Sequence, residues 1–586
     1  MIPGSQNSYS DILDYVNQAE SAGKKIEHSI KINFLRNLTV EGIEPYLKYY
    51  NYQENIEPKI TFGDYDNVNQ EILDDNSHIY SQKPDIIVLS LILEQLSPDS
   101  SSVNWNADSA ITILTELFNL IAKKCKALIV VNTFVPPFYS MYGITNVPKA
   151  KDKITEITKL NGFIRQFVID NYSQFFLADW ERYVRILGES ESMDYRFWYT
   201  SKAPFKKSFL QLYAYDIFKI IKALKGKAKK CLILDCDNTL WGGIVGEDGL
   251  LGIKLDRNTY PGNIYYEFHQ NVITLYERGV LIILCSKNNE EDVWEVFDKH
   301  PQCLLKRNHI AAWKINWDDK VTNINLLADE LNLGLESFVC IDDNPVECEI
   351  ISTMLPQVRV IQVPEKLYTY PRMILEEGLF DSLYLSGEDK ARTKMYRAES
   401  ERKNEAVKFA NIEEYLASLN ITTTIHEAKK HEIPRIAQLT QKTNQFNLTT
   451  KRYSEIQIES FVNDPSSSVF SLGVKDKFGD LGLTGVLIAR KEGSNGIIDS
   501  YLLSCRILGR KLEVVFLRHC LSELEKKWDV KKWEAEYIAT KKNRQTEDYW
   551  KNMGFGEISN KDGIKKYTSD SGKFNEQVLS YIKIND

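Results

Sequence analysis

Apolar residues in this chain fall into short runs closed by polar or turn-forming residues, with longer amphipathic stretches between them. The runs Ile30–Leu35, Asp85–Ile92 and Ala127–Val131 predict strands with helical segments between them, and such alternation implies a parallel sheet. The pattern recurs at Cys231–Leu234, Gly279–Cys285 and Ser337–Asp342, with helices predicted over 264–278 and 321–333. Beyond Ile421 it changes to a meander of strands (469–474, 485–490 and 496–505), and a helix is expected to start at Gly509. Between the two patterns lies the charge-rich stretch Gly387–Glu405, helical but without a wide apolar face, followed by a helix near 412–419. It reads as a solvated connector. The expected fold class is therefore α/β in three domains: an α/β domain over 1–222, a Rossmann-like parallel sheet over 223–385 and, after a helical linker over 386–420, an α+β domain over 421–586.

A chain of 586 residues suits three or four domains at roughly 150 residues each. Its 73 basic and 81 acidic residues give a net charge of −8, which argues against nucleic acid as the main partner. None of the nine cysteines has a Cys-x-x-Cys partner, so reduced thiols in a cytoplasmic setting are expected rather than a disulfide or zinc framework. No apolar run approaches the roughly 20 residues of a membrane span, and the start Met1 to Asn7 lacks a basic and apolar leader. A soluble protein with no membrane partner is expected.

Candidate chemistry collects at the ends of the three central runs. Residues two apart on an extended segment face the same way, so Asp235 and Asp237 can address one ligand at the carboxyl edge of a sheet, where open α/β sheets bind ligands. A carboxylate attacks phosphorus only when its own charge and the substrate's are neutralised, which implies Mg2+ and further acidic ligands. Asp342 and Asp343 supply them at the end of the third run, Ser286 offers a hydroxyl at the end of the second, and Lys320 opens the helix between. Only 50 residues separate Asp235 from Ser286, too few for a large cap domain in addition to the helix they must contain.

In the order Asp-x-Asp-x-Thr, Ser, Lys, Asp-Asp, these residues resemble the four motifs of the haloacid dehalogenase (HAD) superfamily. The flanking segments Trp241–Gly249, Cys285–Asn288, Lys314–Trp317 and Ile341–Glu347 resemble those of its FkbH-like subfamily. The resemblance implies that Asp235 forms an aspartyl-phosphate and that Asp237 protonates the leaving group and then activates water. It implies that Asp342 and the backbone carbonyl of Asp237 hold Mg2+, with Asp235, Asp237 and Asp343 in the metal set. Thr239, Ser286, Lys287, Asn288 and Asn344 become substrate contacts by the same carry-over. The implied substrate is 1,3-bisphosphoglycerate, and the implied product is a glyceryl thioester on the phosphopantetheine arm of an acyl carrier protein in polyketide assembly. A plain uncapped phosphatase acting on a phosphoprotein or metabolite, and a non-catalytic assembly scaffold, stay open as alternatives.

The flanking domains resemble two further families. The first 222 residues are similar to SGNH hydrolases, yet Arg36–Thr39 stands where that fold has its serine and Asp194–Trp198 where it has Asp-x-x-His. Without serine and histidine no triad can run, so a degenerate binding module is expected, in which Thr39, Asn132 and Asp194 could line a polar pocket although ordinary loop roles are the first expectation for each. The segment Arg506-Ile-Leu-Gly509-Arg510-Lys511 resembles the pyrophosphate loop of GCN5-related N-acetyltransferases (GNAT), and Lys541–Phe555 their closing motif. Arg506, Gly509 and Arg510 would then cradle a pantetheine-linked phosphate, although Lys511 replaces a small residue. Cys505, at the strand end before that loop, is the expected acyl-transfer thiol, ahead of Cys285 and then Cys236, which points away from the face of Asp235.

Overall fold

The computed structural model describes residues 7–21, 28–102, 104–145, 152–385, 387–390, 392–406, 409, 411–540, 542–561, 563–574, 579 and 581–585. The expectations placed on Met1–Gln6 and on Lys541 lie outside them. The chain packs as two compact units, one carrying residues 2–225 with 454–457 and the other residues 226–453 and 458–586.

In the first unit, strands β1 (His28–Arg36), β2 (Ile56–Phe62), β3 (Ile86–Ser90), β4 (Leu128–Asn132) and β5 (Phe175–Ala178) form a parallel sheet in the order β2-β1-β3-β4-β5. Every residue of β3 and β4 is buried, as expected of parallel strands covered by helices on both faces. The helices Asp108–Lys124, Lys153–Asp170 and Lys207–Leu224 supply that cover.

The second unit holds two sheets. The first is parallel, in the order β10-β9-β6-β7-β8, from β6 (Cys231–Leu234), β7 (Leu281–Ser286), β8 (Ile310–Ile315), β9 (Phe338–Asp342) and β10 (Arg359–Gln362). Alternation along β6 sends Leu232 and Leu234 into one core with Phe268 and Trp294, and Cys231 and Ile233 into the other with Ile324 and Leu327. The helices Gly262–Glu277 and Lys320–Leu331 thereby cover opposite faces, and the carboxyl ends of β6, β7 and β9 lie side by side. Between β6 and β7 there is one four-residue helix, Val245–Asp248, and the helix Gly262–Glu277, with no inserted sheet.

The second sheet is mixed. It comprises β11 (Ile421–Glu427), β12 (Phe446–Asn447), β13 (Ser467–Asp476), β14 (Gly479–Glu492), β15 (Asn495–Leu503), β16 (Lys532–Ile538), β17 (Gly556–Lys561), β18 (Ile564–Asp570) and β19 (Ile582–Asn585), in the order β17-β18-β16-β15-β14-β13-β11-β19. Strands β15 and β16 pair in parallel only as far as Ile498 and Ala535. Beyond that point the chain's own β12 pairs with β15, while Ile538 donates its N–H to the Leu448 carbonyl at 2.8 Å. The strands part and the protein fills the gap itself.

The helix Arg392–Ala406 corrects the expectation of a solvated connector. Tyr396 is buried in the core beneath Leu327 and Leu331, and Arg397 donates to the Ile310 carbonyl of β8 at 2.7 Å. Arg402, with 1% of its side chain exposed, grips Asp476 of β13 through two hydrogen bonds of 2.7 Å. The apolar pattern missed this contact because it is made by charges buried in pairs. Arg510 shares the arrangement, 3.1 Å from both Asp476 and Glu399. Asp476→Ala would leave two buried guanidinium groups sharing the single carboxylate of Glu399 and is expected to cost about 3–5 kcal/mol. Urea unfolding measures it, and a loss under about 1 kcal/mol would show that the cluster does not hold this helix to the sheet.

Candidate active site

At the end of β6 the backbone turns sharply. Asp235 donates its N–H to Ile341 of β9 at 3.1 Å, Leu240 N–H returns to the Cys236 carbonyl at 2.8 Å, and Asn238 takes the left-handed conformation at φ 52°. Asparagine tolerates that conformation better than most side chains. Two distant residues fasten the loop: the Tyr370 hydroxyl donates to the Thr239 carbonyl and His269 Nε2 to the Leu240 carbonyl, each at 2.9 Å. Neither was found in the sequence, where His269 passes for one more position on an apolar helix.

The turn delivers Asp235 to a buried cation. Lys320 Nζ lies 2.8 Å from Asp235 Oδ1 and 2.5 Å from Asp342 Oδ2, and all three side chains are below a tenth exposed. Asp319 caps the helix that Lys320 opens, accepting from Thr322 N–H at 2.8 Å, which sets the ammonium at the sheet edge. The two carboxylates hold Lys320 charged against its burial, raising its pKa. Burial pushes the Asp235 carboxyl up, and Asp342 adds to the rise while Lys320 and Ser286 oppose it. Asp343 is likewise raised, by burial first and then by Asp342.

Oxygens of Asp235, Asp342 and Asp343 all lie within 4.8 Å of one another. Three hard anionic oxygens with one lysine leave about two negative charges when ionised, a donor set that fits Mg2+. Asp237 contributes no carboxylate oxygen to this cluster, so its expected part in the metal set falls to its backbone carbonyl. Its Oδ1 accepts from Trp241 Nε1 at 2.8 Å and Val245 N–H at 3.0 Å, and its Oδ2 from Asn288 Nδ2 at 2.8 Å.

The remaining expected contacts divide. Ser286 is close enough to Asp235 to oppose the rise of its carboxyl pKa and Asn288 donates to Asp237, so both belong to the site. Thr239 is fully buried, Lys287 is paired with Glu347 at 2.6 Å, and the Asn344 side chain caps the helix Pro345–Met354. These three serve the protein's own structure here rather than an open substrate face.

The thiols separate just as clearly. Burial pushes Cys285 up to about 12 and Cys236 well above the ordinary thiol range, and Cys236 packs in the core opposite Asp235, as alternation predicts. Cys505 is half-buried and lines a cavity that Lys230, the residue before β6, also lines. It is thus placed near the amino end of β6, whereas Asp235 follows the carboxyl end. Arg506 and Arg510 do not form an open phosphate cradle. Arg510 is committed to Asp476 and Glu399, and Arg506 donates to Ser504 Oγ at 3.1 Å and approaches Glu388 at 3.8 Å. Gly509 does take a positive φ of 80°, with open space where a Cβ would stand.

In the first unit, Thr39 donates to the Ser201 carbonyl, Asn132 is spent on the backbone of Leu91 and Thr133, and Asp194 caps the helix Tyr195–Ser201. All three are thus engaged by the protein's own backbone, the ordinary loop roles expected of them. A cavity of about 370 Å3 in this unit is walled instead by apolar and aromatic groups such as Leu91, Phe134, Trp180 and Phe205.

With this geometry in hand, the comparison with family models is specific: residues 230–358 match the NLI interacting factor-like phosphatase family. This segment is a HAD-type phosphatase domain. Among solved structures, the phosphatase-containing N-terminal part of the protein BF1531 from Bacteroides fragilis, determined as a complex with Mg, matches at 26% identity and a TM-score of 0.58. It covers 64% of this chain and 100% of that one. The ribosomal-protein-S18-alanine N-acetyltransferase from Escherichia coli covers 27% of this chain and 96% of its own at 16% identity. Its TM-score is 0.21, too low to carry an argument. No curated protein matches the chain. Among the described residues, no helix is long and apolar enough to cross a membrane.

His269, which holds the loop of the phosphatase domain, gives a pH prediction. Burial lowers its pKa to about 4, so between pH 4 and 6.5 the unfolded chain binds a proton that the folded chain refuses. Stability should fall by about 3 kcal/mol as pH drops through that window, since each tenfold change in proton affinity is worth about 1.4 kcal/mol. Unfolding midpoints in urea at pH 4.5 and 7 should lie closer together in His269→Gln than in the wild type. An equal separation in both proteins would assign the acid loss to other groups.

Proposed function

We propose that the chain is an FkbH-like glyceryl transferase/phosphatase that takes 1,3-bisphosphoglycerate and loads glycerate onto the phosphopantetheine arm of an acyl carrier protein. The motif resemblance supports the reading, and one structural observation carries it towards a large substrate: among the described residues, the segment between β6 and β7 holds no cap domain. No domain is inserted between β6 and β7, and apolar side chains stand exposed beside the site, Trp317 at 71% and Ile244 at 40%. A small-metabolite phosphatase commonly closes such an edge against water. An acyl group tethered to a carrier needs it open.

In this reading a thiolate attacks the acyl carbonyl of the donor, the bond to the phosphate oxygen breaks, and inorganic phosphate leaves as the thioester forms. No ATP is required, because the acyl phosphate is already activated. The remaining phosphate ester is cleaved at the carboxyl edge. Asp235 Oδ attacks phosphorus while Asp237 gives the departing alkoxide its proton, and Asp237 then takes a proton from the water that hydrolyses the aspartyl-phosphate. Lys320 is placed to neutralise phosphoryl oxygens and Ser286 to hydrogen-bond one. Asp235, Asp342 and Asp343 would hold Mg2+, which supplies charge neutralisation when bound. The similarity to a phosphatase domain complexed with Mg supports that assignment.

Intact-protein mass spectrometry of a carrier incubated with enzyme and 1,3-bisphosphoglycerate tests the whole reading; a glyceryl mass gain together with phosphate release is expected. Phosphate release with an unchanged carrier would leave a plain phosphatase. Asp235→Asn should lower phosphate release by at least about 1,000-fold, because an amide cannot form the acyl phosphate. Near-normal turnover in that variant would overturn the nucleophile assignment. The transfer thiol is a separate matter. A hydroxylamine-labile acyl group is expected on Cys505, and Cys505→Ala should stop loading while sparing hydrolysis of a generic phosphate ester. Loading at the wild-type rate in that variant would move the thiol to Cys285 or let the carrier attack the donor directly.

A further inference from the structure

Within the second unit, the phosphatase sheet, the helix Arg392–Ala406 and the mixed sheet enclose a cavity of about 290 Å3. It opens beside Lys230 at the start of β6 and Asn332, which ends the Lys320 helix in a left-handed conformation, and Cys505 forms part of its wall. The lining is markedly cationic. Six lysine and arginine side chains face three carboxylates.

The carboxylates are already taken. Glu388 pairs with Arg435 at 2.8 Å and also approaches Arg506, Asp389 pairs with Lys442 at 3.1 Å, and Glu336 pairs with Lys542 at 2.9 Å. Lys230 and Arg392 have no carboxylate within ion-pair distance among the described residues. Lys230 Nζ donates to the Lys442 carbonyl at 2.8 Å, and Arg392 to the Gly279 carbonyl at 3.1 Å. A carbonyl satisfies a donor but not a charge, and an enclosed charge without a counter-ion is costly. Burial accordingly drags Lys230 down to about 8, while Tyr396 and the more distant charge of Asp389 hold Arg392 charged against its burial.

We propose that this cavity is a binding site for a small phosphate-bearing ligand, held between Lys230 and Arg392 with Cys505 at its side. Two unmatched cations are the complement of one phosphate group, which carries about 1.5 to 2 negative charges at neutral pH. A cavity of this size takes a phosphate with a short organic tail, but not a nucleotide as large as coenzyme A in full. The site is distinct from the phosphatase site: Lys230 and Asp235 are five residues apart along one extended strand, roughly 16 Å at about 3.3 Å per residue. The proposal does not depend on the transfer reading.

Cys505 provides the reporter. It and Cys125 are the only cysteines that are not fully buried, so iodoacetamide labelling followed by peptide mass spectrometry can read both, with Cys125 as the internal reference. Inorganic pyrophosphate and 4′-phosphopantothenate, neither of which carries a thiol, serve as probes. At ten times its Kd a ligand in the cavity should slow Cys505 labelling roughly tenfold while leaving Cys125 unchanged. Stronger protection by 4′-phosphopantothenate would identify a pantetheine arm as the source of the phosphate, and equal protection a free phosphorylated metabolite. Lys230→Met keeps the stem and removes the charge, and should abolish protection. Arg392→Gln is the second variant should the first not fold. The proposal is overturned if neither probe slows labelling, if sodium chloride at equal ionic strength slows it as much, or if both folded variants are protected like the wild type.

Discussion

The ammonium of Lys320, held between Asp235 and Asp342, is the contact on which the phosphatase half of the molecule turns. Buried carboxylates from two neighbouring strands would repel each other at this distance, and each would lose its hydration without compensation. One lysine, delivered by the helix on the opposite side of β7 and β8, offsets both costs and fixes the carboxyl ends of β6 and β9 to each other. Three elements far apart in sequence are thereby registered to within a hydrogen bond. The same arrangement leaves an excess of negative charge once Asp343 is counted, and that excess is what makes the cluster a cation site rather than a closed ion pair. Stability and reactivity are two aspects of the same electrostatics.

Around this contact the loop after β6 is fastened from outside. His269 and Tyr370 hold carbonyls of Leu240 and Thr239, and Asn288 with Trp241 holds the carboxylate of Asp237. The carboxylate of Asp237 therefore stands apart from the three clustered carboxylates, fixed by three donors, while that of Asp235 faces into them. Two carboxylates separated by one residue acquire different surroundings because the strand ends between them. Alternation along a strand, valid up to Leu234, no longer governs where Asp237 points.

That is also the measure of what could be read from residues alone. The parallel central sheet, its strands and the Asp-Ser-Lys-Asp constellation were legible, since each depends on local periodicity and on residue types with little alternative use. The helix Arg392–Ala406 was not, because its hold on the rest of the molecule consists of Arg402 and Arg397 meeting partners 74 and 87 residues away and of Tyr396 entering a packed core. A charge that will be buried in a pair looks the same in sequence as one that will be hydrated. Arg510 illustrates the converse error: its position in a loop suggested a ligand contact, and Asp476 and Glu399 had already claimed it.

The placement of Cys505 bears on how the two proposed chemistries would be connected. Were acyl transfer and phosphate removal carried out in one pocket, the thiol and Asp235 should share an edge of the sheet, and they do not: one lies by the amino end of β6 and the other beyond its carboxyl end. Lys230, which shares the cavity wall with Cys505, lies roughly 16 Å from Asp235 along the strand, more than the reach of a three-carbon donor with well under about 10 Å between its phosphates. Transfer through Cys505 would then require the acyl group to leave one site before its second phosphate reached the other, and an arm long enough to travel is what a carrier provides. On that reading the uncapped edge after β6 and the cavity beside Cys505 would divide the labour, the open site receiving what the cavity had loaded.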